Sequence, residues 1–217
     1  MNIEQARFNM IEQQIRPWEV LDQNVLSLLA LVKREDFVPP AYKALAFVDT
    51  EVPLPEGQVM LAPKVEARLL QALNVARHER VLEIGAGSGH MCALLAHRAQ
   101  HVLGLEIRPA LAAVAAANLR RAGITNATIR AADGAQDLSA EAPFDVILLS
   151  GSVAEVPQRL LNHLKPGGRL AAIVGEEPVM RAVLYTCVGP SQFNRVELFD
   201  TVAPRLQGFT EAPAFQF

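Results

Sequence analysis

Residues 81–90 read VLEIGAGSGH: a short apolar run containing Glu83, followed by Gly85, Gly87 and Gly89 at every second position. A glycine turn directly after a strand lets a ligand lie against backbone that carries no Cβ atoms. Two further acids close later apolar runs. Glu106 ends HVLGLE (101–106), and Asp133, followed by Gly134, comes after ATIRA (127–131). Against a nucleoside, a carboxylate such as Glu106 can accept from both ribose hydroxyls, and one such as Asp133 from an exocyclic amino group.

The spacing selects among nucleotides. A dinucleotide fingerprint needs glycine at relative positions one, three and six, and the sixth position is His90. Glu83, two residues before the first glycine, would face a pyrophosphate unfavourably but suits an ammonium. S-adenosyl-L-methionine, whose demethylated product is S-adenosyl-L-homocysteine, carries an ammonium and a sulfonium and no phosphate. It is the expected cofactor, and a nicotinamide oxidoreductase is disfavoured. His90 either touches the cofactor's carboxylate or caps the helix that follows.

The elements that must hold these residues alternate from residue 80 onward: strands 80–84, 101–106, 127–131, 144–150 and 169–175, with helices at 88–99, 109–122 and around 155–164 between them. Strands apolar on both faces and separated by helix-length segments imply parallel βαβ units. The link EEP (176–178) is too short for a crossover, so 179–189 must return antiparallel, and GPSQ (189–192) turns the chain into a last strand. The expected fold is α/β: a doubly wound, mostly parallel seven-stranded sheet ending in an antiparallel hairpin. An N-terminal helical extension precedes it, with helices at 2–15 and 22–33, the second capped by Asp22. Between them RPWE (16–19) breaks the pattern, and Trp18 reads as a packing anchor. Residues 37–57, with Pro39, Pro40, Pro53 and Pro55, form an irregular arm, and 64–75 a helix.

Composition bounds the partners. The net charge is −3 and basic residues cluster only in pairs such as Arg120 and Arg121, which gives no face for nucleic acid. No run is long and apolar enough for a membrane span, and the polar N-terminus lacks the apolar core of a signal peptide. Cys92 and Cys187 match no metal or redox spacing and read as buried, reduced thiols of a cytoplasmic protein. His97 and His101 lack a third ligand, so no metal is expected. Asp145, inside a strand, is expected to support backbone. Ser150 and Gly151 end that strand on the ligand side and are expected to line an acceptor pocket. No pattern specifies an oligomeric state.

Taken together, the chain resembles class I S-adenosylmethionine-dependent methyltransferases, and within them the protein-L-isoaspartate O-methyltransferases. The likeness is carried by RFNMIEQQIRP, VLDQNVLSLLALVKREDFVP, AFVDTEVPLPEGQ, VLEIGAGSGH, the Asp133–Gly134 pair, PFDVILLS and LKPGGRLAAIVG. The resemblance implies methyl transfer to the abnormal carboxylate of L-isoaspartyl residues in a damaged protein or peptide, after which the ester closes to a succinimide. It also implies that residues 1–63 form helices and an arm covering substrate and cofactor, and 64–217 the methyltransferase domain, as one structural unit. In GQVMLAPK (57–64), Gly57, Gln58 and Pro63 match the family pattern. Val59 stands at the family's threonine and Leu61 at the serine assigned to its active site. Two function classes follow: a carboxyl methyltransferase, ordinary or diverged in acceptor, and a non-catalytic relative that binds the cofactor.

Overall fold

The computed structural model describes residues 2–210, so the end of the expected 64–217 unit, 211–217, lies outside the described residues. Helix α1 (Ile3–Asn9) is capped by the Asn2 side chain and runs into a π-helical stretch, Met10–Ile15. The expected single helix over 2–15 thus changes its winding halfway. Met10, Ile11 and Ile15 are all buried, and i→i+5 bonding puts residues five apart on one face. Helix α2 (Gln23–Leu31) starts at Asp22, whose carboxylate accepts from the Asn24 amide at 2.8 Å. The arm contains a 3-10 helix (Pro40–Phe47) and a two-stranded ribbon of β1 (Val52–Pro53) and β2 (Val59–Met60). Helix α3 (Pro63–Leu73) follows.

The main elements then come in alternation: β3 (Arg80–Ile84), α4 (His90–Ala96), β4 (His101–Glu106), α5 (Pro109–Arg121), β5 (Ala127–Ala131), β6 (Phe144–Val153), α6 (Gln158–Leu161), β7 (Leu164–Glu176), β8 (Val179–Gly189) and β9 (Gln192–Asp200). The seven-stranded sheet has the order β5-β4-β3-β6-β7-β8-β9. β3 to β7 are parallel to their neighbours within that group; β8 and β9 are antiparallel, with Gly175 opposite Met180. The doubly wound sheet and its closing hairpin are as expected.

The two faces are covered unevenly. Val81, Val102, Val146 and Ala171 point into a core shared with α1 to α5. The residues alternating with them, Leu82, Ile147 and Leu170, face α6 and the loop around Leu138. Helix α6 is much shorter than the expected 155–164. Trp18, expected as an anchor between helices, is instead 40% exposed, with the Lys64 ammonium 3.8 Å from its ring centre. An ammonium over an indole is stabilised at such an open place. Order reverses at β3: the chain steps outward through β4 to β5, then crosses back to β6 on the other side. In open α/β sheets the ligand crevice lies beyond the strand ends at this switch point.

Candidate active site

A cleft opens where that rule places it, at the carboxyl ends of the central strands. Its floor is the glycine loop (Gly85, Gly87) and its back wall the end of β4 (Leu105, Glu106) with Gly134. Gln58, Val59 and Leu61 of the arm close one side, and Ser150 and Gly151 at the end of β6 another. The expected residues Gln58, Leu61, Gly85, Gly87, Glu106 and Gly134 are therefore together.

The loop's conformation calls for glycine at all three positions, Gly85 with φ +88 among them. Gly87 has φ +52 and Gly89 φ +83, the left-handed region. A Cβ on Gly89 would also stand 3.1 Å from the Ala115 carbonyl oxygen of α5. Gly89 thus permits helix packing and lies outside the cleft wall, whereas Gly87 faces it. Glu106, buried at 5% exposure, accepts from the Gly87 amide at 2.9 Å and from the Arg108 amide at 3.1 Å. One carboxylate thus pins the glycine loop to the end of β4, and a carboxylate's four lone-pair sites leave it free to accept more.

Asp133 is not among the residues lining the cleft. Its carboxylate accepts from the Ala135 amide at 2.9 Å and the Gln136 side chain at 2.8 Å, fixing the turn that brings Gly134 to the wall. Glu83 borders a smaller adjoining cavity with Leu61, Gly87 and Ser150. The Ser150 hydroxyl donates to Glu83 Oε1 at 2.6 Å, while Glu83 Oε2 has no partner. An orphaned acceptor beside a cradle of glycines fits an ammonium-bearing nucleoside, with Glu106 at hand for hydroxyls.

His90 takes neither expected role. Its side chain is 2% exposed and its Nδ1 lies 3.0 Å from Glu66 Oε2, with the Phe37 ring edge-on. Arg34 pairs with the same Glu66 oxygen and donates through Nη2 to the Leu61 carbonyl at 2.7 Å. Burial alone would raise the Glu66 carboxyl, but Arg34 and His90 outweigh it and hold the group below its usual range. This cluster ties the arm, α3 and the start of α4 together behind the cleft. Sequence reading did not foresee it, although a charged Arg34 between apolar α2 and FVP is a visible signal of a required partner. Asp145 does support backbone, accepting from the Arg80 amide at 2.8 Å.

Also unforeseen is the segment after β9. Ser152 donates to the Pro204 carbonyl and accepts from the Leu206 amide, each at 2.8 Å, so residues 204–206 run beside the end of β6. Pro204, Arg205, Leu206 and Gln207 close the cleft from above. A Cβ on Gly85 or on Gly151 would meet the Leu206 side chain at 2.8 Å. The only sequence signal is that Leu206 and Phe209 need burial after the last strand.

A mostly parallel sheet with its glycine loop and strand-end acids at the switch point defines the class: an S-adenosylmethionine-dependent methyltransferase. The family model described as protein-L-isoaspartate(D-aspartate) O-methyltransferase (PCMT) matches residues 5–189. The chain is 36% identical over 194 residues to the protein-L-isoaspartate O-methyltransferase of Koribacter versatilis, covering 89% of this chain and 87% of that one. It is 40% identical over 169 residues to that of Methanoculleus marisnigri, covering 78% and 77%. A Plasmodium falciparum structure described as a beta-aspartate methyltransferase (PCMT) in complex with S-adenosyl-L-homocysteine has the same fold. It superposes with a TM-score of 0.81 at 22% identity, over 93% of this chain and 98% of that one. The chain belongs to the protein-L-isoaspartate O-methyltransferase family, whose members use S-adenosylmethionine on damaged proteins.

Proposed function

We propose that the chain methylates a carboxylate, the abnormal free carboxylate of L-isoaspartyl residues in damaged protein, with an acceptor pocket altered at two positions. The observation that carries this is the cleft itself: glycine loop, Glu106 and Glu83 on one side, and the arm loop with Ser150 and Gly151 on the other. Gly85, Gly87 and Gly134 would give the cofactor backbone access, Glu106 would hold its ribose and Glu83 its amino group. Gly89 and Asp133 would act behind them, Gly89 through helix packing and Asp133 through its turn. When bound, S-adenosylmethionine supplies an electrophilic methyl group. A carboxylate of pKa about 4 is already ionised at neutral pH, so the protein needs no general base. Its work is to orient the acceptor and exclude water. Residues 1–63 act as the cover and residues 64–217 as the methyltransferase domain. Two free, buried cysteines, Cys92 and Cys187, accord with the reducing cytoplasm.

Val59 and Leu61 present apolar side chains where the family carries hydroxyls, and this favours a second reading, a diverged acceptor on the same cofactor site. Titration with S-adenosylhomocysteine followed by methyl transfer to an isoaspartyl peptide separates the two. The expected outcome is firm cofactor binding with slow turnover. Val59→Thr with Leu61→Ser should then raise turnover roughly ten- to a hundredfold, about 1.5 to 3 kcal/mol for a restored hydrogen bond to a charged group, with cofactor affinity unchanged. Efficient methylation by the unaltered protein would make the two hydroxyls dispensable. A double variant that binds cofactor and stays inactive would direct the search to another acceptor.

A further inference from the structure

Glu83 lies in the middle of the sheet, opposite Gly104 of β4 and Leu148 of β6, and is 1% exposed. Four groups face it: Glu66 from α3, Glu106 from β4, the Cys92 thiol from α4 and the Ser150 hydroxyl from β6. Two are acids and two are neutral donors. The nearby basic side chains are committed elsewhere, since Arg34 and His90 both sit on Glu66. Among the described residues no cation pairs with Glu83, and its Oε2 is left without a hydrogen bond at the border of the smaller cavity. Burying an unpaired charge is so costly that the group neutralises instead. Burial pushes the Glu83 carboxyl up to about 8; Cys92 and Ser150 pull back against it, and Glu66 and Glu106 add to it.

We propose that cofactor uptake is a proton exchange: Glu83 waits as a neutral carboxylic acid and releases its proton to solvent when the cofactor's ammonium docks against its unpaired oxygen. The inference rests on the S-adenosylmethionine reading above. The carboxyl O–H bond breaks, the proton goes to the buffer, and the ammonium keeps its three N–H bonds and faces the new carboxylate. No other reactant is needed. The protein thus stores an uncharged acid in the empty site and obtains a complementary anion only with the ligand present.

The experiment is calorimetric titration of the whole protein with S-adenosylhomocysteine between pH 5.5 and 7.5, in buffers of different ionisation enthalpy. The expected result is close to one proton released per cofactor bound, and affinity rising about tenfold per pH unit, the slope that linkage requires for one proton. 5′-Methylthioadenosine, which has no amino-acid end, should bind with no release. Glu83→Gln, an isosteric neutral group, should bind S-adenosylhomocysteine more weakly and without pH dependence. Binding by the unaltered protein with flat affinity and no buffer-dependent heat overturns the exchange and leaves the cofactor reading intact. The same overturning follows if Glu83→Gln still releases the proton. Absence of binding at every pH by the folded protein would sink the cofactor reading and the exchange with it.

Discussion

Glu66 and Glu83 are both buried carboxylates bordering the same small cavity, at 5% and 1% exposure, yet they are in opposite states. Glu66 has Arg34 and His90 on one oxygen, and the cluster continues to the Leu61 carbonyl. Glu83 has only neutral groups, the Ser150 hydroxyl and the Cys92 thiol, and an oxygen without a hydrogen bond. The carboxyl of the first is held below its usual range and that of the second pushed up to about 8. Burial is common to both, so partners decide the difference. A buried acid with its partners supplied from the chain ties elements together; one whose partner is missing is a seat for a cation from outside.

The largest effect should come from removing the partner on the completed side. Arg34→Met leaves Glu66 buried without its guanidinium and is expected to cost about 3 to 5 kcal/mol in urea unfolding. A loss under about 1 kcal/mol would break the comparison at its root. Next comes the pH dependence of the unliganded protein. The folded-state pKa of Glu83 lies above the ordinary 4.5, at about 8, so the folded form keeps a proton that the unfolded form releases. Its contribution is present below about 4.5 and is lost as pH rises to about 8. Thermal unfolding should therefore find Glu83→Gln gaining on the unaltered protein by something on the order of 3 kcal/mol between pH 5 and 8; parallel profiles would mean that Glu83 is charged when empty.

A smaller effect separates the two acids of the cofactor site. Glu106→Ala removes the acceptor for the Gly87 and Arg108 amides and should weaken S-adenosylhomocysteine binding by about 1 to 3 kcal/mol, leaving proton release in place. Equal affinity in this variant would take Glu106 out of the site. The smallest effect serves as a reference outside both regions. Asp22→Ala removes a partly exposed helix cap and should cost about 1 kcal/mol of stability with no change in binding; a comparable loss in Arg34→Met would make that cluster no more than another surface contact.

What was legible in the sequence follows from the range of the forces involved. β3, β4 and β5 have the expected bounds because each is a short apolar run ended by its own polar or glycine residues. The glycine loop and Glu106 are also local features, fixed by their distance along the chain from a strand end. The apolar pattern ends β6 at Ser150, but the strand runs to Val153, because Ser152 and Val153 pair with Ile173 and Val174 of β7 past an irregularity and Ser152 also bonds Pro204 and Leu206, which no local pattern announces. Local spacing offers His90 only as a cofactor contact or a cap, because its actual partners, Glu66 and Arg34, are near only in space. Asp133 sits at the expected strand end, where its side chain also fixes the turn. Strand-end position identifies the neighbourhood; which lone pairs stay free depends on contacts that the sequence does not order.

The roof formed by Pro204 to Gln207 has a consequence for biosynthesis. A chain emerges from the ribosome N-terminus first, so β3, the glycine loop and Glu106 are outside long before Leu206 can settle against Gly85 and Gly151. The nascent protein can assemble the floor of its cleft and the arm beside it, but not the roof that Pro204 to Gln207 supply. The wall of the cleft above Gly85 and Gly151 is therefore the last part of the site to be laid down, when the downstream segment crosses back over the strand ends.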